Sequence, residues 1–181
     1  MTDATIVDVH GRRVWDSRGR PTVETEITLA SGLRARAIAP AGASTGTGEA
    51  LDLRDGGRAF AGLGVGRALA AVNGEIAALL KGMDARDQAG IDDALIHCDG
   101  TSGLSRLGGN AVVATSMAVL QAAAAAAGLP ILRSLAGARR DRLGLGWRVF
   151  VGGHARKTRR RRASPGDYLC IGMTRQPKAN A

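Results

Sequence analysis

The chain has 181 residues, of which 45% are hydrophobic and only 3% are aromatic, enough for one soluble domain with or without a tail. The net charge of +9 is uneven, because residues 1–137 hold 13 basic and 14 acidic side chains whereas residues 138–181 hold 12 and 2. Two distant cysteines exclude a disulfide framework, and the first ten residues lack the pattern of a signal peptide, so we expect a cytoplasmic protein.

Three segments near the amino terminus have the alternation of β-strands. They cover residues 5–15, 22–29 and 33–39, and the second alternates most cleanly. Ser31 and Gly32 form a turn signal between the last two segments. The pattern predicts a three-stranded antiparallel meander.

The hydrophobic period then changes to that of helices. One or two helical turns are predicted at residues 49–55, and longer helices at 65–80, 87–97 and 108–127. In the helix at 87–97, Ile91, Leu95 and Ile96 are predicted to face inward. Residues 111–132 carry no charge, but their alanines, polar residues and Pro130 favour a buried helix over a membrane span. Strands followed by helices predict an α+β fold, a meander followed by a helical bundle.

The stretch between the strands and the helices, P-A-G-A-S-T-G-T-G-E-A-L-D-L-R-D at residues 40–55, is rich in glycine and hydroxyl groups. Glycine gives such a loop conformational freedom, and the Ser44 and Thr45 oxygens suit an anion or a hard cation. The alternative is an ordinary connection in which Thr45 or Thr47 caps a helix.

Two other patterns are weaker. Gly62, Gly64 and Gly66 precede a helix, but their spacing differs from a dinucleotide-binding motif and no apolar strand leads into them. His10, His97 and His154 have no clustered carboxylates or cysteines, which argues against a metal site among them.

From residue 138 the periodicity disappears, and the sequence becomes rich in Gly, Pro and Arg. This composition predicts a basic, largely disordered tail. The abrupt change also resembles translation in a shifted reading frame, although a genuine tail is the alternative. We therefore divide the chain into a domain at 1–137 and an Arg-rich irregular tail at 138–181.

Several motifs occur in a fixed order along the first part of the chain. They are D-S-R-G-R-P-T-V-E at 16–24, P-A-G-A-S-T-G at 40–46, E-A-L-D-L-R-D-G at 49–56, Q-x-x-I-D at 88–92, D-G-T at 99–101 and L-G-G-N-A-V-V-A-T-S-M-A at 107–118. Together they resemble the amino-terminal domain of enolase, the phosphopyruvate hydratase of glycolysis, over about residues 5–135. Arg20, Ala41, Gly48 and Gly109 depart from the usual family pattern.

The resemblance implies a mobile substrate lid at Gly42, Ala43, Ser44, Thr45 and Gly46. In the family, the serine at the Ser44 position helps to bind a substrate-linked Mg²⁺. The resemblance also implies 2-phosphoglycerate and phosphoenolpyruvate as ligands, a homodimer, and ion pairs of Asp16, Arg18 and Glu24 at an interface with the barrel and dimer partner. For these three residues, a solvated charged strand face is the alternative.

The enolase reaction needs a base, an acid and metal-bound stabilisation of an enediolate. In the family these groups lie in a β/α barrel of about 200 or more residues. Only 46 residues follow Leu135 in this chain, with two aspartates and no glutamate. We therefore expect an enolase-like chain that carries the lid but is inactive alone, or else a lid domain that pairs with a barrel from another chain.

A non-enzymatic alternative rests on the tail. It is a binding protein that contacts nucleic acid or an acidic surface nonspecifically through six cationic side chains within seven residues. These side chains are Arg156, Lys157, Arg159, Arg160, Arg161 and Arg162.

Overall fold

A computed structural model of the chain describes residues 3–42, 48–131 and 134. Three strands come first: β1 (Ile6–Trp15), β2 (Pro21–Leu29) and β3 (Arg34–Ala39). They form one antiparallel sheet in the order β1-β2-β3, which confirms the predicted meander. Gly32, with φ of +81°, completes the turn between β2 and β3 as its backbone N–H donates to Leu29.

Helices follow the sheet, so the predicted α+β architecture is confirmed. The first helical run comprises α1 (Gly66–Ala71), a π-helical segment (Val72–Ile76) and α2 (Ala77–Leu80). Helix α3 spans Gln88–Asp99 and α4 spans Gly109–Ala126, and 3₁₀ turns lie at Ala59–Gly62 and Ser102–Leu104. No β/α barrel is present among the described residues.

The core lies between the inner face of the sheet and the helices. Helix α4 packs against β2 and β3, and the helical run from Gly66 to Leu80 packs against β1. Val23, Ile27 and Leu29 are buried on the sheet side, opposite aliphatic side chains of the helices. Gly11 lets β1 approach closely, because a Cβ there would lie 2.8 Å from Cγ1 of Val72.

Helix α4 is the one described helix long and apolar enough to cross a membrane, with a mean hydropathy of 1.3. Of its 18 residues, 67% are buried, because the helix packs against β2 and β3. The prediction of a buried helix in this part of the chain is therefore confirmed.

Two details of the predicted secondary structure are wrong. Residues 49–55 form no helix, because their backbone groups are hydrogen-bonded to distant parts of the fold instead of to one another. Ile96 is 50% exposed, since α3 turns only one narrow face, with Ile91 and Leu95, toward the core. The predicted tail lies outside the described residues.

Candidate functional site

The candidate site is the loop after β3, and the structure fixes the chain on both sides of it. On the incoming side, the Arg18 guanidinium donates a hydrogen bond from Nη2 to the carbonyl oxygen of Ala41. Gly42, the last described residue before the gap, is exposed. The other predicted lid residues, Ala43, Ser44, Thr45 and Gly46, lie outside the described residues.

Asp16 holds Arg18 in this position. Its Oδ1 accepts hydrogen bonds of 2.8 Å from the backbone N–H groups of both Arg18 and Arg20, and its Oδ2 lies 3.3 Å from Arg18 Nη2. These contacts, led by the Arg20 N–H, lower the pKa of the Asp16 carboxyl from its ordinary value. The Asp16 side chain is only 4% exposed, so it is a structural support for the turn between β1 and β2.

On the outgoing side, the chain is held in an extended conformation. The Leu51 N–H donates to Gly103 at 2.8 Å, and Leu51 accepts from the Gly109 N–H at 2.7 Å. Asn110, which is 1% exposed at the start of α4, accepts from Leu53 N–H at 3.1 Å and donates to the Leu53 carbonyl at 3.3 Å. A Cβ on Gly109 would lie 2.7 Å from that of Ala50, so glycine is needed for this close approach.

Arg54 ties the same segment to the sheet. Its Nη1 donates to the carbonyl oxygens of Pro21, at 2.7 Å, and Leu63, at 3.0 Å, while Nη2 pairs with Asp52 at 2.9 Å. The chain on both sides of the loop is therefore held by side-chain hydrogen bonds to the rest of the fold.

Asp55 explains two of the three glycines noted above, Gly64 and Gly66. Its carboxylate accepts from the N–H groups of Gly66, at 2.7 Å, and Arg67, at 2.9 Å, at the start of α1. These two hydrogen bonds lower the pKa of the Asp55 carboxyl, and the one from the Arg67 N–H has the larger effect. A Cβ on Gly64 would collide with the same carboxylate. The helix terminus that would receive a phosphate in a dinucleotide site is thus filled by Asp55.

Glu24 lies on the outer face of the sheet, opposite Arg12 on β1. The Arg12 guanidinium bonds to Glu24 through Nε and to Glu26 through Nη2, the latter at 2.9 Å. Hydrogen bonding from Arg12 lowers the pKa of Glu26 and raises that of Arg12. Glu24 is therefore paired within the domain; its role at an interface stays a prediction, as does that of Asp16 and Arg18.

The D-G-T motif closes α3. The Asp99 carboxylate is buried and accepts from the backbone N–H of Thr101 at 3.0 Å and of Leu107 at 2.7 Å. Burial raises the pKa of Asp99, but these bonds together with the Thr101 hydroxyl outweigh it and lower the pKa overall. Gly100 takes the left-handed conformation that ends the helix, with φ of +67°.

The Q-x-x-I-D motif forms a polar contact between α3 and α4. Asp92 accepts from the Ser116 hydroxyl at 2.6 Å and from the Gln88 amide at 3.0 Å. Burial nevertheless raises the pKa of Asp92 from its ordinary value. Gln88 Oε1 is buried without a hydrogen-bond partner among the described residues.

No three His, Cys, Asp or Glu side chains in the described ranges are grouped closely enough to hold a metal ion. Among the acids around the loop, Asp16 is engaged with the β1–β2 turn, Asp52 with Arg54 and Asp55 with α1, whereas Glu49 is exposed. These residues do not form a magnesium site by themselves. His154 and the basic residues at 156, 157 and 159–162 lie outside the described part of the chain.

Sequence reasoning missed the anchors of the loop. Arg18 and Asn110 are part of the quoted motifs, yet nothing in their spacing shows that they bind backbone groups at opposite sides of one loop. The burial of an asparagine at the start of an apolar helix was the one available signal, because a buried amide needs polar partners.

A family model described as "Enolase, N-terminal domain" matches residues 6–135. The match includes all three strands, the four α-helices and the loop with its anchors. It covers more than half of the chain and agrees with the motifs quoted above. The chain belongs to the enolase family, and its matched region is an enolase amino-terminal domain.

Proposed function

We propose that this domain is the substrate-covering part of an enolase-type lyase, which dehydrates 2-phosphoglycerate to phosphoenolpyruvate in the cytoplasm. The observation that carries the proposal is the family match, with the loop at 42–48 anchored on both sides by Arg18 and Asn110. A loop that closes over a substrate excludes water while its fixed ends keep its reach constant.

Within this proposal, Ser44 supplies one oxygen to a substrate-linked Mg²⁺, a hard cation that prefers oxygen ligands. The remaining ligands, the proton-abstracting base and the acid would come from a β/α barrel, as the family resemblance implies. The sequence after residue 137 offers only Asp141 and Asp167 as carboxylates. We therefore expect these 181 residues to be inactive alone and to act with a barrel, in a homodimer as in the family.

The test is reconstitution. The full chain is added to an enolase barrel that lacks its own amino-terminal domain, and phosphoenolpyruvate formation is measured with Mg²⁺ present. We expect the chain to restore turnover, because it supplies the missing lid, and the Ser44→Ala variant to lose most of that gain. Ser31→Ala, which removes an exposed hydroxyl in the β2–β3 turn, is the matched control.

Arg18→Ala tests the anchor itself. It releases the Ala41 carbonyl without touching the loop residues, so the restored turnover should fall while the fold, followed by circular dichroism, stays intact. Binding of the chain to the barrel without any gain in turnover, or a gain that Ser44→Ala leaves unchanged, would contradict the proposed lid.

The tail provides a second candidate function. Six cationic side chains within residues 156–162 would bind nucleic acid through phosphate contacts, with an affinity that falls steeply as salt rises. Deleting residues 138–181 should abolish this binding. Binding that survives the deletion would assign it to another part of the chain.

A further inference from the structure

The two edges of the sheet differ in how their backbone groups are used. At the β1 edge, the N–H and carbonyl of Gly11 bond to the Asn73 side chain at 2.8 and 3.0 Å. Both polar groups of Ile6 bond to the backbone of Gly82 and Met83 at 2.8 Å. The β1 edge is therefore closed to a further strand at two places.

The β3 edge is open. Within the described residues, β3 pairs with β2 and with no other strand. The Leu29 N–H donates to the Leu33 carbonyl at 2.9 Å, so alternate residues from Leu33 onward turn their N–H and carbonyl groups toward β2. The residues between them, Arg34, Arg36 and Ile38, turn these groups away from the sheet, where no described residue bonds to them. β3 therefore presents a free backbone ladder to which an extended segment can add.

A groove of about 680 Å³ lies beside this edge, between β3 and the carboxyl end of α4. Its apolar lining comes from Ala35 of β3, from Ala124 and Ala125 of α4, and from Leu129 and Ile131 beyond that helix. Because side chains alternate between the two faces of a strand, every second side chain of an added strand would point to the α4 side of the sheet. The groove gives those side chains apolar surroundings.

The opposite face of β3 is basic at this edge. The Arg34 side chain is 69% exposed, and its ion-pair partner, Glu26, lies 3.9 Å away and is also bonded to Arg12 at 2.9 Å. Arg36 is exposed and forms no ion pair with another described residue. The edge therefore has an excess of positive charge, which deters a like strand and favours one that carries carboxylates.

We infer that the free edge of β3 is a docking site for an extended acidic peptide, which adds to the three-stranded sheet as a further strand. The backbone of the peptide bonds to the outward groups of Arg34, Arg36 and Ile38. Its carboxylates lie opposite the two arginines, and its alternate apolar side chains enter the groove beside α4. The inference is independent of the lyase proposal, because it uses the edge of β3 and none of the side chains that hold the loop.

Other occupants satisfy fewer of these features. A second copy of the chain, paired along its own β3, places the two Arg36 side chains opposite each other when the strands are centred on that residue. A nucleic acid would neutralise the arginines, but it has neither a peptide backbone for the ladder nor apolar side chains for the groove. An acidic strand with apolar residues at alternate positions fits the ladder, the groove and the charges together.

The experiment is a selection of random displayed peptides on the full chain. The library is first cleared on Ile38→Pro, which removes one outward N–H from the edge and keeps both arginines and the basic tail. Proline suits an edge position whose N–H points away from the sheet. Enriched peptides are synthesised, and their affinities for the chain and its variants are measured. Circular dichroism checks the fold of each variant, and Arg36→Glu replaces Ile38→Pro in the clearing step if the proline variant unfolds.

We expect the enriched peptides to alternate Asp or Glu with apolar residues. Arg36→Glu, which reverses a charge at the edge, should weaken their binding about tenfold or more, and so should Ala125→Gln, which fills the groove. Two matched controls should leave the affinity unchanged. They are Arg58→Glu, at an exposed position before the first 3₁₀ turn, and Ala78→Gln, at an exposed position of α2.

Backbone methylation of the peptides tests the strand pairing itself. In an added strand, successive N–H groups of the peptide point alternately toward β3 and away from it. Methylation of one alternate set of peptide nitrogens should therefore weaken binding about tenfold or more, whereas methylation of the other set should leave the affinity nearly unchanged. A purely electrostatic contact would respond equally to both sets.

Absence of enrichment after clearing, peptides that lack the alternation of acidic and apolar residues, or equal effects of the two methylation patterns would overturn the inference. Sedimentation of the full chain tests the second copy, since a dimer that Ile38→Pro dissociates would show that another β3 takes the edge. Oligothymidylate tests nucleic acid. If it displaces the enriched peptides and Arg36→Glu weakens its own binding as much as theirs, the edge is a nucleic-acid site and the inference is wrong.

Discussion

At the scale of single residues, carboxylates do most of the local organisation in this domain. Asp16, Asp55 and Asp99 each accept two or more hydrogen bonds, and each has a lowered pKa. Bonds that favour the ionised form add stability above the ordinary pKa of the carboxyl, and that stability is lost as the pH falls through the lowered pKa. These side chains fix the β1–β2 turn, the start of α1 and the chain that follows α3.

Asp55→Ala should destabilise the fold by about 1 kcal/mol at neutral pH, because it removes the cap of α1. The loss should shrink in acid, where the native carboxylate is itself protonated. Urea unfolding at several pH values measures both effects. A loss that did not change with pH would show that the charge of Asp55 contributes nothing.

Gly64→Ala provides a sharper check of the same contact. Alanine at this position collides with the Asp55 carboxylate, so it should destabilise the normal chain but cost much less in the Asp55→Ala background. A double-mutant cycle measures the coupling. Additive effects of the two substitutions would contradict the proposed reason for this glycine.

The contribution of Asp92 to stability should depend on pH in the opposite direction. Because burial raises its folded pKa, its protonated form favours folding, and this contribution is lost as the pH rises from the ordinary value of 3.8 through the raised folded value. Asp92→Asn keeps an acceptor for Ser116 and Gln88 and removes the buried charge, so stability at pH 7 should increase. Exposed Asp93→Asn is the control, and an equal gain from both variants would contradict the role of burial.

At the scale of elements, two asparagine side chains take the place of missing backbone pairing. Asn110 binds both polar groups of Leu53, and Asn73, in the π-helical segment, binds both polar groups of Gly11 at 2.8 and 3.0 Å. Each joins a helix to an extended segment that has no strand neighbour on that side. The chain around the loop is therefore held by specific side chains as well as by the sheet.

Asn110→Ala should cost about 1–3 kcal/mol, because it leaves the N–H and carbonyl of Leu53 without partners in a partly buried place. Hydrogen exchange at Leu53 should also become faster. Gln121→Ala, on the same helix but without a hydrogen bond to this segment, is the control. Unchanged exchange at Leu53 would show that Asn110 does not anchor the loop.

The elements differ in how far the sequence could predict them. The strands and the helices at 66–80, 88–99 and 109–126 follow from periodicity and turn residues, because their packing matches their local pattern. Residues 49–55 look helical from composition, but their partners are at Gly103, Gly109 and Asn110, more than fifty residues away. Local propensity cannot reveal contacts at that distance, so tertiary hydrogen bonds overrode it.

The same limit applies to the site. The motifs predicted the family and the loop, while Arg18 was predicted as an interface residue and is found beside Ala41. The pairing of Trp15 with Phe60 had no signal in spacing, since the two residues meet only after β1 and the 3₁₀ turn are packed. The low aromatic content was visible from the start, but not that the two described aromatic side chains lie against each other.

At the scale of the whole molecule, the domain is an enolase amino-terminal fold whose described residues carry an anchored loop and no metal cluster. Enolases combine two tasks, covering the substrate and transferring protons. We propose that this domain performs the first, and we expect a barrel to perform the second. This separation predicts how the chain behaves by itself.

The most direct measurement is phosphoenolpyruvate formation from 2-phosphoglycerate by the purified 181-residue chain, with and without Mg²⁺, beside a complete enolase as the positive control. We predict no turnover above the protein-free blank in either condition, since we expect the proton-transfer groups to lie in a barrel. Magnesium-dependent turnover that Ser44→Ala abolishes would contradict the account, because it would place a working catalytic site within these 181 residues.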